Sequence, residues 1–335
     1  MKATYRPYTL NFKIPGGTSR GVLHTKETYF LEVSENDRYG IGECALFRGL
    51  SADDLPHYED RLQWLCNHIN EAPERLKEEL RPFPSLWFGY EQAILNLKHG
   101  KNLYFPSRFT EGKDAIKING LIWMGSPDFM KSQIKEKLNV GFRCIKLKIG
   151  VRWEEEHQIL KNLRNEFPAN ELELRVDANG AFSPIQAPKV LEQLAQLEIH
   201  SIEQPIKAGQ ADTMAELCQN TPTPIALDEE LIGIHSPEDK EKLISHIQPQ
   251  YIILKPALVG GFSGTDEWIY SAEKQGSDWW ITSALESNVG LNAIAQYTYT
   301  KQSPLPQGLG TGSLFTNNTK TALHLNGENL SFIVT

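Results

Sequence analysis

The chain has 335 residues, 40 % of them apolar, and a formal net charge of −8. That is enough apolar material for a barrel-sized domain with a smaller partner, and the acidic balance offers no extended basic field to nucleic acid or an anionic membrane. The four cysteines, Cys44, Cys66, Cys144 and Cys218, form no C-x-x-C pair, so neither a disulfide framework nor a zinc knuckle is expected and a reducing compartment fits best.

The opening stretch, "MKATYRPYTLNFKIPGG", is broken by Lys2, Arg6, Lys13 and prolines before an apolar signal region can form. No later stretch is long enough to span a bilayer, so the expected location is the cytoplasm. Residues 1–110 read as an α+β capping unit. Strands in "TYRPYTLNF" and "TYFLEVS" precede helical stretches in "LPHYEDRLQWLCNHI" and "LWFGYEQAILNLKHG". Over residues 111–312 the pattern changes to short apolar strands, each followed by a charged segment of helical period. Residues 313–335 read as strands again, returning to the capping unit.

The strand candidates of the second region are "AIKINGLI", "CIKLKIG", "LELRVDANG", "HSIEQPI", "TPIALDEEL", "YIILKPAL", "DWWITSALE" and "PLPQGLGTG". Their last inward-pointing polar or glycine positions are Asn119, Lys148, Asp177, Glu203, Asp228, Lys255, Ser283 and Gly310, at intervals of 29, 29, 26, 25, 27, 28 and 27 residues. So even a beat predicts an α/β fold of the TIM-like (β/α)8 barrel type.

In such a barrel the C-terminal strand ends converge on one mouth. Strands three, four and five bring Asp177, Glu203 and Asp228 there, and three adjacent carboxylates repel one another unless neutralised. One acid at a strand end is ordinarily a solvated loop residue; three on consecutive strands point to a hard cation. Mg²⁺ is the expected metal, with Mn²⁺ a possible substitute, and three monodentate carboxylates leave about half an octahedral shell for other oxygens. Lys148 on strand two and Lys255 on strand six face each other across the ring. A lone lysine near a strand end usually snorkels to solvent, but an opposed pair around three carboxylates does not fit that reading.

"CIKLKIG" also places Lys146 on the face of Lys148, two residues earlier and deeper in the barrel. At roughly 6.6 Å and an effective dielectric of ~20, two ammonium groups repel by about 2.5 kcal/mol, nearly two pKa units. Lys148 is therefore expected to act as a general base, with Lys146 lowering its pKa toward the ~7–8 range. The alternative for Lys146 is an ion pair with a neighbouring acid.

The ordered set "KLK", "DANG", "EQP", "LDE", "LKP" and "SALESNVG" resembles the enolase superfamily, muconate-lactonising-enzyme subgroup. "YGIGECAL", which carries Glu43, and "IPGGTSRG" extend the resemblance over nearly the whole chain. "GTSRG", "ESNVGLNAIAQ" and "QGLGTGSLF" are most similar to the o-succinylbenzoate synthases of that subgroup. The resemblance implies Mg²⁺ on Asp177, Glu203 and Asp228, Lys148 as base and Lys255 as a cation on the opposite face. It also implies that Asn179 lies just behind the ligands and that Glu229, beside the less secure ligand Asp228, orients a lysine.

The implied activity is that of a hydro-lyase of menaquinone biosynthesis. It is the syn β-elimination of water from 2-succinyl-6-hydroxy-2,4-cyclohexadiene-1-carboxylate, by way of an enediolate, to 2-succinylbenzoate. Substrate contacts are expected from Thr18, Ser19 and Arg20 in the cap and from Ser283, Glu286, Gly308, Gly310 and Gly312, the glycines letting backbone approach a ligand. The expected partner is a small-molecule carboxylate, not nucleic acid or a membrane. Two alternatives stay open: an N-acylamino-acid racemase or dipeptide epimerase using both lysines, and a barrel that only binds. "GLGTG" lacks the Asp-x-Asp that dipeptide epimerases carry there. "GGFSG" at 260–264 is a weak phosphate-loop signal without a following Lys-Ser/Thr, and the nine histidines show no metal spacing.

Overall fold

The structure, a computed structural model, describes residues 1–18 and 21–334. Three antiparallel strands in sequential order, β1 (Lys2–Thr18), β2 (Gly21–Glu35) and β3 (Arg38–Cys44), open the chain, followed by α1 (Tyr58–Asn67), α2 (Pro73–Glu79) and α3 (Pro84–His99). Leu31 and Val33 of β2 pack with Leu62 and Leu65 of α1 and Leu86 and Ala93 of α3. The glycines of "YGIGE" let α3 lie directly on β3: a Cβ on Gly42 would stand 1.9 Å from the Gly89 carbonyl oxygen, and one on Gly40 2.3 Å from that of Ala93. Glycine is required there because backbone meets backbone.

Beyond a short strand β4 (Ala115–Lys117), seven parallel strands neighbour one another in chain order. They are β5 (Gly120–Ile122), β6 (Cys144–Lys148), β7 (Glu173–Asp177), β8 (Ser201–Glu203), β9 (Ile225–Leu227), β10 (Tyr251–Leu254) and β11 (Asp278–Ile281). The helices alternating with them are α4 (Pro127–Asn139), α5 (Trp153–Glu166), α6 (Ala187–Ala195), α7 (Ala211–Asn220) and α8 (Pro237–Ile247). After β10 come α9 (Pro256–Val259) and α10 (Gly261–Lys274), and after β11 comes α11 (Asn288–Lys301). Local sequence starts several of these cleanly. Ser126 and Ser236 each accept a backbone N–H, from Phe129 (3.3 Å) and Asp239 (3.1 Å), with proline as the first helical residue. The strands are buried on both faces, as a parallel sheet under helices requires.

Two expected strands differ from expectation. "AIKINGLI" is split: β4 pairs with β13 (Asn329–Phe332), itself paired with β12 (Leu323–Asn326), and only β5 joins the barrel. The chain crosses between the two sheets where Ile118 N–H donates to Glu328 O (2.8 Å) and Asn119 N–H to Gln307 O (2.9 Å). Asn119 is therefore at the start of its barrel strand and not at its end, although it still lines the cleft over the lysines and carboxylates. "PLPQGLGTG" forms no ladder. Prolines at 304 and 306 remove two donors, and it joins its neighbours through single bridges, Ile118 to Gln307 and Thr282 to Gly308, which close the ring. A Cβ on Gly308 would stand 2.1 Å from Thr282 Oγ1, so this closure needs a glycine.

The final segment also differs from a simple return to the cap. Phe12 of β1 bridges Phe315, and Lys13 N–H donates to Leu314 O (2.8 Å), but β12 and β13 attach to β4 instead. The four cysteines are free and buried, and among the described residues no helix is long and apolar enough to cross a membrane.

Candidate active site

Strand register sets the charged cluster. Lys148 pairs with Asp177 across β6 and β7, and Asp177 with Glu203 across β7 and β8, so three ionisable side chains stand at one level. Asp228 and Lys255 directly follow β9 and β10. All five are at most intermediate in exposure, and Asp177 and Glu203 are essentially sealed from solvent.

The ammonium groups neutralise the carboxylates as a shared network. Lys148 Nζ donates to Asp177 Oδ2 (2.8 Å) and Asn179 Oδ1 (2.7 Å). Lys146 Nζ lies 2.5 Å from Glu203 Oε2 and 3.0 Å from Asp177 Oδ2. Lys255 Nζ bonds Asp228 Oδ2 and stands 3.9 Å from Glu203 Oε1. Burial alone pushes the Asp177 carboxyl up, but the surrounding lysines outweigh it and hold the group well below the usual range. Glu203 goes the other way: burial first, then the charges of Asp177 and Asp228, raise it well above an ordinary glutamate. Burial pulls Lys255 down, yet Asp228 and Glu203 overcome this and the net shift is upward.

This arrangement overturns the expected role of Lys146. Mutual repulsion with Lys148 does not dominate, because both ammonium groups share Asp177 Oδ2 and Lys146 also contacts Glu203. Burial lowers the Lys146 ammonium, but Asp177 and Glu203 reverse the effect and raise it. Lys146 is an ion-paired cation between two acids, and its partners are Asp177 and Glu203 rather than Glu229. Glu229 acts on two lysines: its charge helps to raise Lys255, and it reaches Lys148 through Asn179. Its Oε1 accepts from Asn179 Nδ2 (3.0 Å), and Asn179 in turn receives the Lys148 ammonium. Asn179 takes up a left-handed backbone (φ 44°), held by its N–H to Asp177 Oδ1 (3.1 Å).

A cleft of about 770 Å³, counting its part open to solvent, lies over the cluster and is lined by Lys146, Lys148, Asp177, Asn179 and Lys255. Of the expected substrate contacts, Ser283, Gly308 and Gly310 line it as well. Glu286 and Gly312 do not. Glu286 is buried behind the wall, accepting from Ser283 Oγ (2.6 Å), and a Cβ on Gly312 would meet Asn288 and Leu291 instead of a ligand. Thr18 ends β1, opposite Gly21 in the register, while Ser19 and Arg20 lie outside the described residues.

Sequence reasoning missed the apolar wall: Leu23 from the cap hairpin, Phe47 and Leu50 from the loop after β3, and Leu121, Trp123 and Trp280 from the barrel. Leu121 and Trp123 follow Asn119 at every second position, a period-two signal that could have found them. It also missed Gln204, whose Oε1 accepts the N–H groups of Asp228 (3.1 Å) and Glu230 (3.2 Å) and so fixes the turn carrying Asp228. The weak "GGFSG" signal has another explanation. The Glu91 carboxylate of α3 receives the N–H groups of Phe262 (2.5 Å) and Ser263 (3.1 Å), filling the place a phosphate would need.

The donor chemistry suits a hard divalent cation. The three carboxylates offer oxygen only, and Glu203 Oε1 is buried without a hydrogen-bond partner. Among the described residues no three histidine, cysteine, aspartate or glutamate side chains already surround one point at ligating distance, because Lys146 and Lys255 lie between the acids. The set fits the ion by chemistry and burial.

Comparison with known proteins places this architecture. Residues 130–317 match the family described as enolase C-terminal domain-like. The chain is 44 % identical to an o-succinylbenzoate synthase of Desulfotalea psychrophila over 98 % of each chain, and 31 % identical to an N-succinylamino acid racemase of Thermus thermophilus over 82 % of this chain and 69 % of the other. A crystal structure of MenC from Desulfotalea psychrophila superposes with a TM-score of 0.88 at 41 % identity, covering 99 % of both chains. A capped, parallel (β/α)8-type barrel with lysines and carboxylates at its mouth, joined to these matches, makes the chain a member of the enolase superfamily.

Proposed function

We propose that the chain is an o-succinylbenzoate synthase, a hydro-lyase that removes water from 2-succinyl-6-hydroxy-2,4-cyclohexadiene-1-carboxylate to give 2-succinylbenzoate. Its likeness over 98 % of its length to an enzyme of that name supports the activity. The observation that carries the chemistry is the placement of Lys148 and Lys255 around Asp177, Glu203 and Asp228 beneath one cleft.

Asp177, Glu203 and Asp228 would hold Mg²⁺, which when bound polarises the substrate carboxylate and makes the adjacent C–H more acidic. Lys148 faces the cleft and takes the proton α to that carboxylate as general base. Asn179 and Asp177 fix its Nζ from behind, so the remaining direction of the amine points at the substrate. Electrons of the broken C–H bond move toward the carboxylate, then form the ring double bond as the hydroxyl leaves. Lys148, now protonated, gives its proton to that hydroxyl on the same face. Lys255 stays cationic and stabilises developing negative charge from the other side. The apolar wall of Leu121, Trp123 and Phe47 packs the ring and keeps water from the reacting carbons.

The test is turnover by chelator-treated protein with and without added Mg²⁺, following loss of the cyclohexadiene absorbance. Metal-dependent dehydration is expected. Racemisation of N-succinylated amino acids without any dehydration would favour the relative's activity and overturn the proposal.

A further inference from the structure

Lys255 stands at the head of a short, jointed segment. Its own carbonyl accepts the N–H groups of Leu258 (2.8 Å) and Val259 (3.2 Å), so α9 begins on the lysine that lines the cleft. One turn later α9 ends at Gly260 and Gly261, at φ 99° and 73°. Two successive glycines in the left-handed region make a sharp break before α10, and neither has a side chain to hold it there. Nor can the joint cap itself. α10 starts at Gly260, which offers the first N–H groups of that helix no side-chain acceptor.

The cap supplies what the joint lacks. Glu91 of α3 accepts from Phe262 N–H (2.5 Å) and Ser263 N–H (3.1 Å), and Trp87 Nε1, one turn earlier on the same helix, donates to Ser263 Oγ (2.9 Å). Both side chains press on the second glycine: a Cβ on Gly261 would stand 2.1 Å from Glu91 Oε2 and 3.0 Å from Trp87 Cδ1. The first turn of α10 is set in turn against α9. Gly264 N–H donates to Gly260 O (2.9 Å), and a Cβ on Gly264 would stand 2.4 Å from Val259 O. Hydrogen bonds and direct contacts therefore run without a gap from Glu91 to the residue whose ammonium meets Asp228 and lies 3.9 Å from Glu203.

We infer that Glu91, aided by Trp87, is a positioning residue that holds the joint between α9 and α10 from the cap and so fixes where Lys255 stands in the cleft. The inference rests on the proposed dehydratase reading, in which Lys255 stabilises negative charge that develops in the transition state. Misplacing such a charge lowers kcat and leaves KM little changed, and a shift of ~1 Å is enough for a loss of up to ~10²-fold.

The experiment compares wild type with Glu91→Ala, Glu91→Gln, Trp87→Phe and Lys77→Met in steady-state turnover, melting temperature and hydrogen–deuterium exchange of residues 255–266. Lys77→Met is the control, because it removes a different contact between the cap and α10, the ion pair of Lys77 with Glu267 (2.8 Å). Glu91→Ala is expected to lower kcat about tenfold with KM within about twofold, and to speed exchange in the joint. Glu91→Gln keeps an acceptor oxygen and should recover most of the rate. Trp87→Phe should lower kcat about threefold in the same way, and Lys77→Met should lower the melting temperature alone. The inference is overturned if Glu91→Ala loses only melting temperature, as the control does, or if its loss falls on KM. Should Glu91→Ala not fold, Trp87→Phe decides, and unchanged kcat and joint exchange there overturn the inference. If wild-type protein does not dehydrate the substrate, the dehydratase reading fails; faster exchange confined to the joint in the variants still supports Glu91 as its holder, and unchanged exchange overturns it.

Discussion

Removing Glu43 tests how the cap is fastened to the barrel. This fully buried residue of β3 accepts from the N–H groups of Ser287 (2.9 Å) and Gly290 (2.9 Å), at the start of α11. It also accepts from the hydroxyls of Thr28 and Ser287. In Glu43→Ala the Thr28 hydroxyl has a substitute acceptor in Cys44 O, whereas the Ser287 hydroxyl keeps only its acceptor role toward Val289 N–H. The two backbone donors have none. Each buried donor left without an acceptor costs ~1–3 kcal/mol, so the variant should lose about 4 kcal/mol of stability. Urea denaturation followed by circular dichroism measures this, and the loss should appear at an unchanged slope with denaturant. A loss below ~1 kcal/mol would mean that these hydrogen bonds do not fasten the junction, and the reasoning would fail.

Three further outcomes follow from the structure. Burial raises the Glu91 carboxyl, which caps α10, from 4.5 to about 7. Its folded state therefore favours the proton: the contribution to stability is full below pH ~4.5 and falls as pH rises through 7, by roughly 3 kcal/mol in all. Glu91→Gln should flatten that part of a stability-against-pH curve, and an unchanged slope would contradict the assignment. Gly308→Ala drives a methyl group against Thr282 and should open the barrel's closing seam, lowering the melting temperature by several degrees; thermal unfolding reads it directly. Asn179→Ala removes the acceptor that orients Lys148 and should lower kcat ~10- to 100-fold with little change in KM, measured by steady-state turnover.

Much of this molecule was legible in its sequence. The even spacing of polar residues after apolar runs announced the barrel, and the residue types at those positions announced both the carboxylates and the opposed lysines. What stayed hidden depends on register and packing between strands. Lys146 read as a repelling neighbour because local sequence shows Lys148 two residues away but not Asp177 and Glu203 across two strands. Asn119 read as a strand end because nothing in "AIKINGLI" marks where the chain passes from one sheet to another. Glu286 read as a ligand contact because its motif lies at the mouth, whereas its side chain turns inward to the turn that carries Ser283. The cap's share of the wall, Leu23, Phe47 and Leu50, comes from loops whose apolar residues have no periodicity to betray them.

The proposed reaction turns on removal by Lys148 of the proton α to the substrate carboxylate. Its most direct test is single-turnover dehydration of the cyclohexadiene substrate by wild-type protein and by Lys148→Ala, both loaded with Mg²⁺ and both shown to bind 2-succinylbenzoate equally. The variant should be slower by ~10³-fold or more with binding retained. A Lys148→Ala protein that dehydrates the substrate at the wild-type rate would mean that another group takes the proton.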